Sequence, residues 1–237
     1  HPLKAVRRDP WLYGRGSVDD GYGGYLCATS VRLLQEAGAP HPRCTMVIET
    51  CEESGSFDLP TYLEALTERL GNPDMVVVLD SGGLDYDHIW MTEALRGLVS
   101  GTLSVKVSHE GIHSGNSGGS IPSSFRIQRI LLDRVEDSSS GKVRIPEMHV
   151  EIPEEVRENA ISLKDIVGDS IWEQFPTVDT LRQASETTED MIVAMNWEPT
   201  LSIIGADGIP SVQDAGNVLR TNTDPKLSFR IPPGVDS

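Results

Sequence analysis

Four carboxylates stand as two adjacent pairs, Asp19-Asp20 and Glu52-Glu53, each set in a turn rich in Gly and Ser. The first turn reads Y-G-R-G-S-V-D-D-G-Y-G-G over residues 13–24; the second reads E-T-C-E-E-S-G-S over 49–56. Neighbouring side chains point in different directions, so one member of a pair can bind while the other does acid–base chemistry. Oxygen donors of this kind suit a divalent cation. Asp80 repeats the pattern, following the apolar run Met75–Leu79 and opening D-S-G-G. One acidic turn in a chain of net charge −16 is solvated surface. The same arrangement recurring at the mouths of apolar segments points instead to a cation site.

The elements that must position these residues are legible in outline. The continuous apolar run Met75–Leu79 reads as a strand buried on both faces, and Cys44–Glu49 is strand-like too. Residues 21–37 read as a helix with Tyr25, Leu26, Val31, Leu33 and Leu34 on its buried side. Residues 59–70 read as another, started near Asp58. Alternating helices and strands make an α/β block, and such sheets collect ligands at the carboxyl ends of their strands. Glu52, Glu53 and Asp80 fall there.

Near residue 95 the pattern changes. Residues 102–108 alternate strictly as a strand with one wet face, and 122–135 carry helical spacing up to a polar loop at 136–142. The stretch 145–190, rich in Glu and Pro, reads as a surface excursion with one helix over 153–167. Residues 200–204 and 226–231 are later strands. Strands and helices in this order suit an α+β sandwich.

The motifs in this order resemble the co-catalytic zinc peptidases of metallopeptidase family M-twenty, which includes carnosine dipeptidases, glutamate carboxypeptidases and aminoacylases. The resemblance covers nearly the whole chain, continuing through Leu95-Arg96-Gly97, His113-Ser-Gly, Pro122-Ser-Ser-Phe-Arg and Ser228-Phe-Arg-Ile-Pro-Pro. It implies an α/β catalytic domain with a mixed sheet and an inserted α+β ferredoxin-like lid and dimerisation domain, both incomplete here. The division would fall at residues 1–95 and 96–237.

The resemblance also implies roles. Asp19 would bridge two divalent ions, with Glu53 on one and Asp80 on the other, the ions lying roughly 3.5–4 Å apart. Zinc is the expected metal, with cobalt or manganese able to substitute. Glu52 would be the general base toward the attacking water. Asp20 would sit behind the ligands, with the Asp19–Asp20 peptide bond cis. A lone His in a Gly/Ser loop is ordinarily a solvated residue. The V-S-H-E-G-I-H-S-G context instead gives His113 the family's oxyanion-stabilising role, supplied to the partner subunit of a homodimer. Arg230 would clamp the substrate carboxylate, Asn217 would contact the substrate, and His109 is left structural.

The sequence also departs from the family. Gly21-Tyr22 follows the Asp-Asp pair where many relatives have Lys, and two histidine ligands of the family have no counterpart here. The chain therefore reads as the central part of a longer enzyme. The expected activity is metal-dependent hydrolysis of a peptide bond in dipeptides or similar small substrates with a free carboxylate. The alternatives are an N-acyl amino acid deacylase or an inactive dimerisation fragment. Net charge −16 argues against nucleic acid, and no apolar run is long enough to span a membrane. Three cysteines, Cys27, Cys44 and Cys51, read as reduced buried thiols of a cytoplasmic protein, with Cys51 packing and not acting as a nucleophile.

Overall fold

The computed structural model describes residues 1, 3–85 and 87–236. The chain divides into two units, His1–Gly82 and Gly83–Ser237.

The first unit opens with an antiparallel pair, β1 (Val6–Arg8) and β2 (Trp11–Tyr13), joined by Asp9-Pro10. The Gly-rich turn follows and feeds helix α1 (Gly23–Glu36). Helices α2 (Leu59–Ala65) and α3 (Thr67–Leu70) replace the single helix expected over 59–70. The break is at Leu66, whose backbone leaves helical geometry at φ −99 and ψ 6.

Two expectations fail in this unit. Segments 44–49 and 75–79 join no ladder among the described residues. An apolar run encodes the propensity for a strand, but a strand exists only through its hydrogen-bonded neighbour. Met75, Val76, Val77 and Val78 are accordingly 68–78% exposed. The face of α1 expected to be buried is also open, with Tyr25 80% exposed and only Val31 half-covered. Gly23 is the one buried residue described in this unit.

The second unit has a conventional core. Its centre is β8 (Asn222–Ile231), paired antiparallel on one edge with β3 (Gly97–Thr102) and β4 (Val105–Lys106), and on the other with β6 (Thr200–Asp207). The strand expected over 102–108 is therefore shifted and interrupted. The register brings Leu103 opposite Pro225, which accepts from the Leu103 N–H at 3.0 Å but has no N–H to return.

Side chains of β8 alternate cleanly. Thr223, Pro225, Phe229 and Ile231 are buried, whereas Lys226 and Arg230 are exposed on the other face. Phe229 and Ile231 pack with Val143, Val135, Ile145, Met148 and Leu201. Helix α5 (Ser124–Val135) is capped by Ser123, whose hydroxyl accepts from the Arg126 N–H at 3.1 Å. A buried hydrogen bond of 2.6 Å between Ser124 and Thr223 ties it to the same face of β8.

Residues 145–190 do more than wrap the surface. Helices α6 (Glu154–Val167), α7 (Ser170–Glu173) and α8 (Thr188–Trp197) build a second cluster of Ala160, Ile171, Met191, Ile192 and Val193. Lys164 and Glu189 pair at 3.3 Å between α6 and α8. A short ladder of β5 (Ile112–His113) and β7 (Val218–Leu219), with the one-turn helix α4 (Ser114–Ser117), completes the unit.

Candidate active site

Backbone hydrogen bonds and glycines shape the first turn. The Gly21 N–H donates to the Gly16 carbonyl at 2.7 Å. A Cβ on Gly21 would lie 2.4 Å from that oxygen, so the turn admits no side chain there. Asp20 folds over the start of α1: a Cβ on Gly23 would come within 2.8 Å of Asp20 Oδ1. The Asp19–Asp20 peptide bond is cis. Glu52 and Glu53 lie on a single 3-10 turn, Glu52–Ser54, closed by Gly55 at φ 103. Ser54 Oγ secures it by donating to the Cys51 carbonyl at 2.9 Å.

The electrostatics join these loops. The Glu52 carboxyl is raised above the usual carboxylate range, first by partial desolvation and then by the charges of Asp80, Glu53, Glu49 and Asp19. Every charge that moves it is negative. The structure thus brings Asp19, Glu53 and Asp80 within electrostatic reach of Glu52. It does not gather them into a coordination shell: among the described residues, no three of His, Cys, Asp and Glu come together as a metal-holding group. The donors, all carboxylate oxygen, are of the chemical type a divalent ion takes.

Glu49 is a member that sequence reasoning missed. The Cys51 thiol donates to Glu49 Oε1 at 3.3 Å, and this carboxylate, with partial desolvation, pushes the thiol up. A raised thiol is the opposite of what a nucleophile needs. All three cysteines are free, but Cys44 is exposed and Cys27 and Cys51 are only half-buried, so the expectation of core thiols fails. The segments carrying them are the ones that found no ladder or cover.

In the second unit, His113 and Asn217 share one short ladder. His113 pairs with Val218, and the Ser114 N–H donates to the Asn217 carbonyl at 2.8 Å. His113 Nδ1 accepts from the Gly115 N–H at 3.1 Å, which leaves the neutral ring's proton on Nε2 as an available donor. A cleft of about 350 Å³ lies beside this ladder, lined by Ser114, Ser123, Phe125 and Val218 among others. His109 is exposed. Arg230 is not brought to His113: it lies at the far end of β8, roughly 26 Å of strand beyond Asn222. Its neighbour is Arg96, a second residue to which the sequence reading gave no role.

No helix among the described residues is long and apolar enough to cross a membrane. The family model for Peptidase family M20/M25/M40 matches residues 1–216. Among curated relatives, Beta-Ala-His dipeptidase of Mus musculus is 24% identical over 235 residues, covering 98% of this chain and 47% of its own. Cys-Gly metallodipeptidase DUG1 of Saccharomyces cerevisiae is 25% identical over 228 residues, covering 95% and 47%. The solved structure of the di-peptidase Dug1p from Saccharomyces cerevisiae superposes with a TM-score of 0.70 at 24% identity, over 100% of this chain and 50% of that one. Human carnosine dipeptidase 1 follows at 0.64 and 23%, also over 100% and 50%. These likenesses show the α/β fold with its α+β second part, and this chain spans about half the length of the proteins it matches. On the extent of the family match, the chain belongs to Peptidase family M20/M25/M40.

Proposed function

We propose that this chain carries the catalytic carboxylates of a metal-dependent hydrolase that cleaves the peptide bond of dipeptides or similar small substrates with a free carboxylate. The observation that carries the proposal is the family match over residues 1–216, within which Glu52 stands among the like charges of Asp80, Glu53, Glu49 and Asp19. A carboxyl held nearer neutrality is a better proton acceptor and donor at working pH, which suits Glu52 as the general base. Asp19, Glu53 and Asp80 would hold two divalent ions, zinc by preference, with Asp20 supporting the turn behind them. Such ions, when bound, acidify water and polarise a carbonyl. The names of the relatives, Beta-Ala-His dipeptidase and Cys-Gly metallodipeptidase, support a small peptide as substrate.

Residues 1–95 form the metal-binding part in this proposal, and 96–237 the lid and dimerisation part. His113, through the Nε2 proton, would polarise the scissile carbonyl of a partner copy, and Asn217 on the same ladder would orient the substrate. Arg230 would take its carboxylate. A homodimer in the cytoplasm is the setting this implies.

Glu52→Gln tests the central role. Dipeptide hydrolysis should fall by roughly 10²–10⁴-fold, the usual contribution of a positioned general base, while bound zinc is unchanged. Activity retained in that variant removes Glu52 as the base.

One observation favours a second function. No three donors are gathered among the described residues, as would hold for a non-catalytic dimerisation module. That module would retain no zinc after dialysis and would hydrolyse nothing.

A further inference from the structure

One end of the exposed face of the β8 sheet carries two arginines, in a chain of net charge −16. Arg96 precedes β3 by one residue, so alternation puts it on the same face as Leu98, which pairs with Arg230. Thr200 pairs with Arg230 from the other edge. Arg96 reaches across to that edge: its Nη1 donates to the Glu198 carbonyl at 3.3 Å and to Thr200 Oγ1 at 3.2 Å. The Arg96 side chain therefore crosses the end of the sheet where Arg230 stands, and burial and then the charge of Arg230 push Arg96 down from its ordinary range.

Nothing among the described residues neutralises them. Neither guanidinium has a carboxylate of a described residue within ion-pair distance. The next row on this face is Ser100, Ser228 and Ser202, and the row after it brings Lys226 opposite Thr102. Asp224 and Asp207 of this face pair with each other six residues down β8 from Arg230, roughly 20 Å away, and Glu198 meets Arg96 through its backbone carbonyl. Burying half of a guanidinium beside another one is unfavourable unless an anion completes the group. Arg96 spends Nη1 on its two anchors and keeps its remaining N–H donors for a ligand.

We infer that Arg96 is the second guanidinium of a carboxylate site shared with Arg230, held in place by Glu198 and Thr200. The inference rests on the proposed role of Arg230 and adds a binding residue to it. The ligand is a small carboxylate whose two oxygens are divided between the guanidiniums, with the serine row providing further hydroxyl donors for its polar remainder.

The test is equilibrium binding of N-acetylglycine, read by the Arg Nε–Hε resonances of the whole chain. It needs neither metal nor turnover. An absence of peptidase activity would leave it intact, and a failure here would leave that activity intact. The Nε–Hε signals of Arg96 and Arg230 should move together on titration. Arg96→Gln should weaken binding about tenfold, the effect of losing one charge-assisted hydrogen bond. Thr200→Val removes an anchor without altering charge and should weaken binding by a smaller factor with the fold intact. It carries the test if Arg96→Gln does not fold. Arg230 moving alone, or affinity unchanged in Arg96→Gln, or in Thr200→Val where the first variant is unfolded, would overturn the assignment and leave Arg96 as a strand tie.

Discussion

The two units solve different problems. In Gly83–Ser237, side chains decide the structure: Phe229 and Ile231 are nearly enclosed, α5 is tied down by a buried hydroxyl pair, and α6 to α8 enclose a cluster of their own. In His1–Gly82, the backbone decides it. The carboxylate turns are fixed by Gly16, Gly21, Gly55 and local hydrogen bonds, while Val76, Val77 and α1 lie open. The carboxylates assigned to metal and base chemistry lie where packing is weakest. Like charges crowded around Glu52 cost stability, and the unit that carries them has little apolar burial to offset that cost.

The sharpest way to break this contrast is to delete apolar bulk in each unit. Phe229→Ala should destabilise the second unit by about 3–5 kcal/mol in urea unfolding. Thr223→Val comes next, because it leaves the buried Ser124 hydroxyl without its 2.6 Å partner. The expected cost is about 1–3 kcal/mol, with part recovered when Ser124→Ala is added.

A pH series sharpens the comparison further. Asp137 accepts from Ser139 Oγ, from Arg144 and from the Ser140 and Ser139 N–H groups, which hold its carboxyl far below the usual carboxylate range. A lowered folded value means the contribution is complete above the unfolded pKa, about 4, and is lost as pH falls through the folded value. Wild type should therefore lose stability on acidification more steeply than Asp137→Ala, and the two curves should converge in strong acid. Matching acid slopes would mean the loop holds no such carboxylate.

The smallest effect belongs to Val77→Ala, at less than about 0.5 kcal/mol, because the side chain is 68% exposed. A cost there comparable to that of Phe229→Ala would erase the distinction between the units.

How far the sequence could be read follows the same divide. Helices α1, α5 and α6 were legible within two residues, because their apolar spacing is a local signal. Of the β8 strand, 226–231 was legible and its first four residues were not. The pairing of 44–49 and 75–79 was not, since a ladder depends on a partner that the segment does not encode. The shift of β3 was hidden because its cause, Pro225, lies over a hundred residues away. In the site, the acidic turns announced themselves by glycine and spacing. Glu49 was masked inside an apolar run, and Arg96 becomes meaningful only when the sheet register sets it beside Thr200 and Arg230.

The most direct test of the account is the zinc content of the chain after dialysis, measured by elemental analysis for wild type and Asp19→Asn. Stoichiometric zinc in wild type, lost in the variant while the unfolding transition of the second unit is unchanged, is the result the carboxylate cluster predicts. No zinc in wild type, or equal zinc in both, would contradict it.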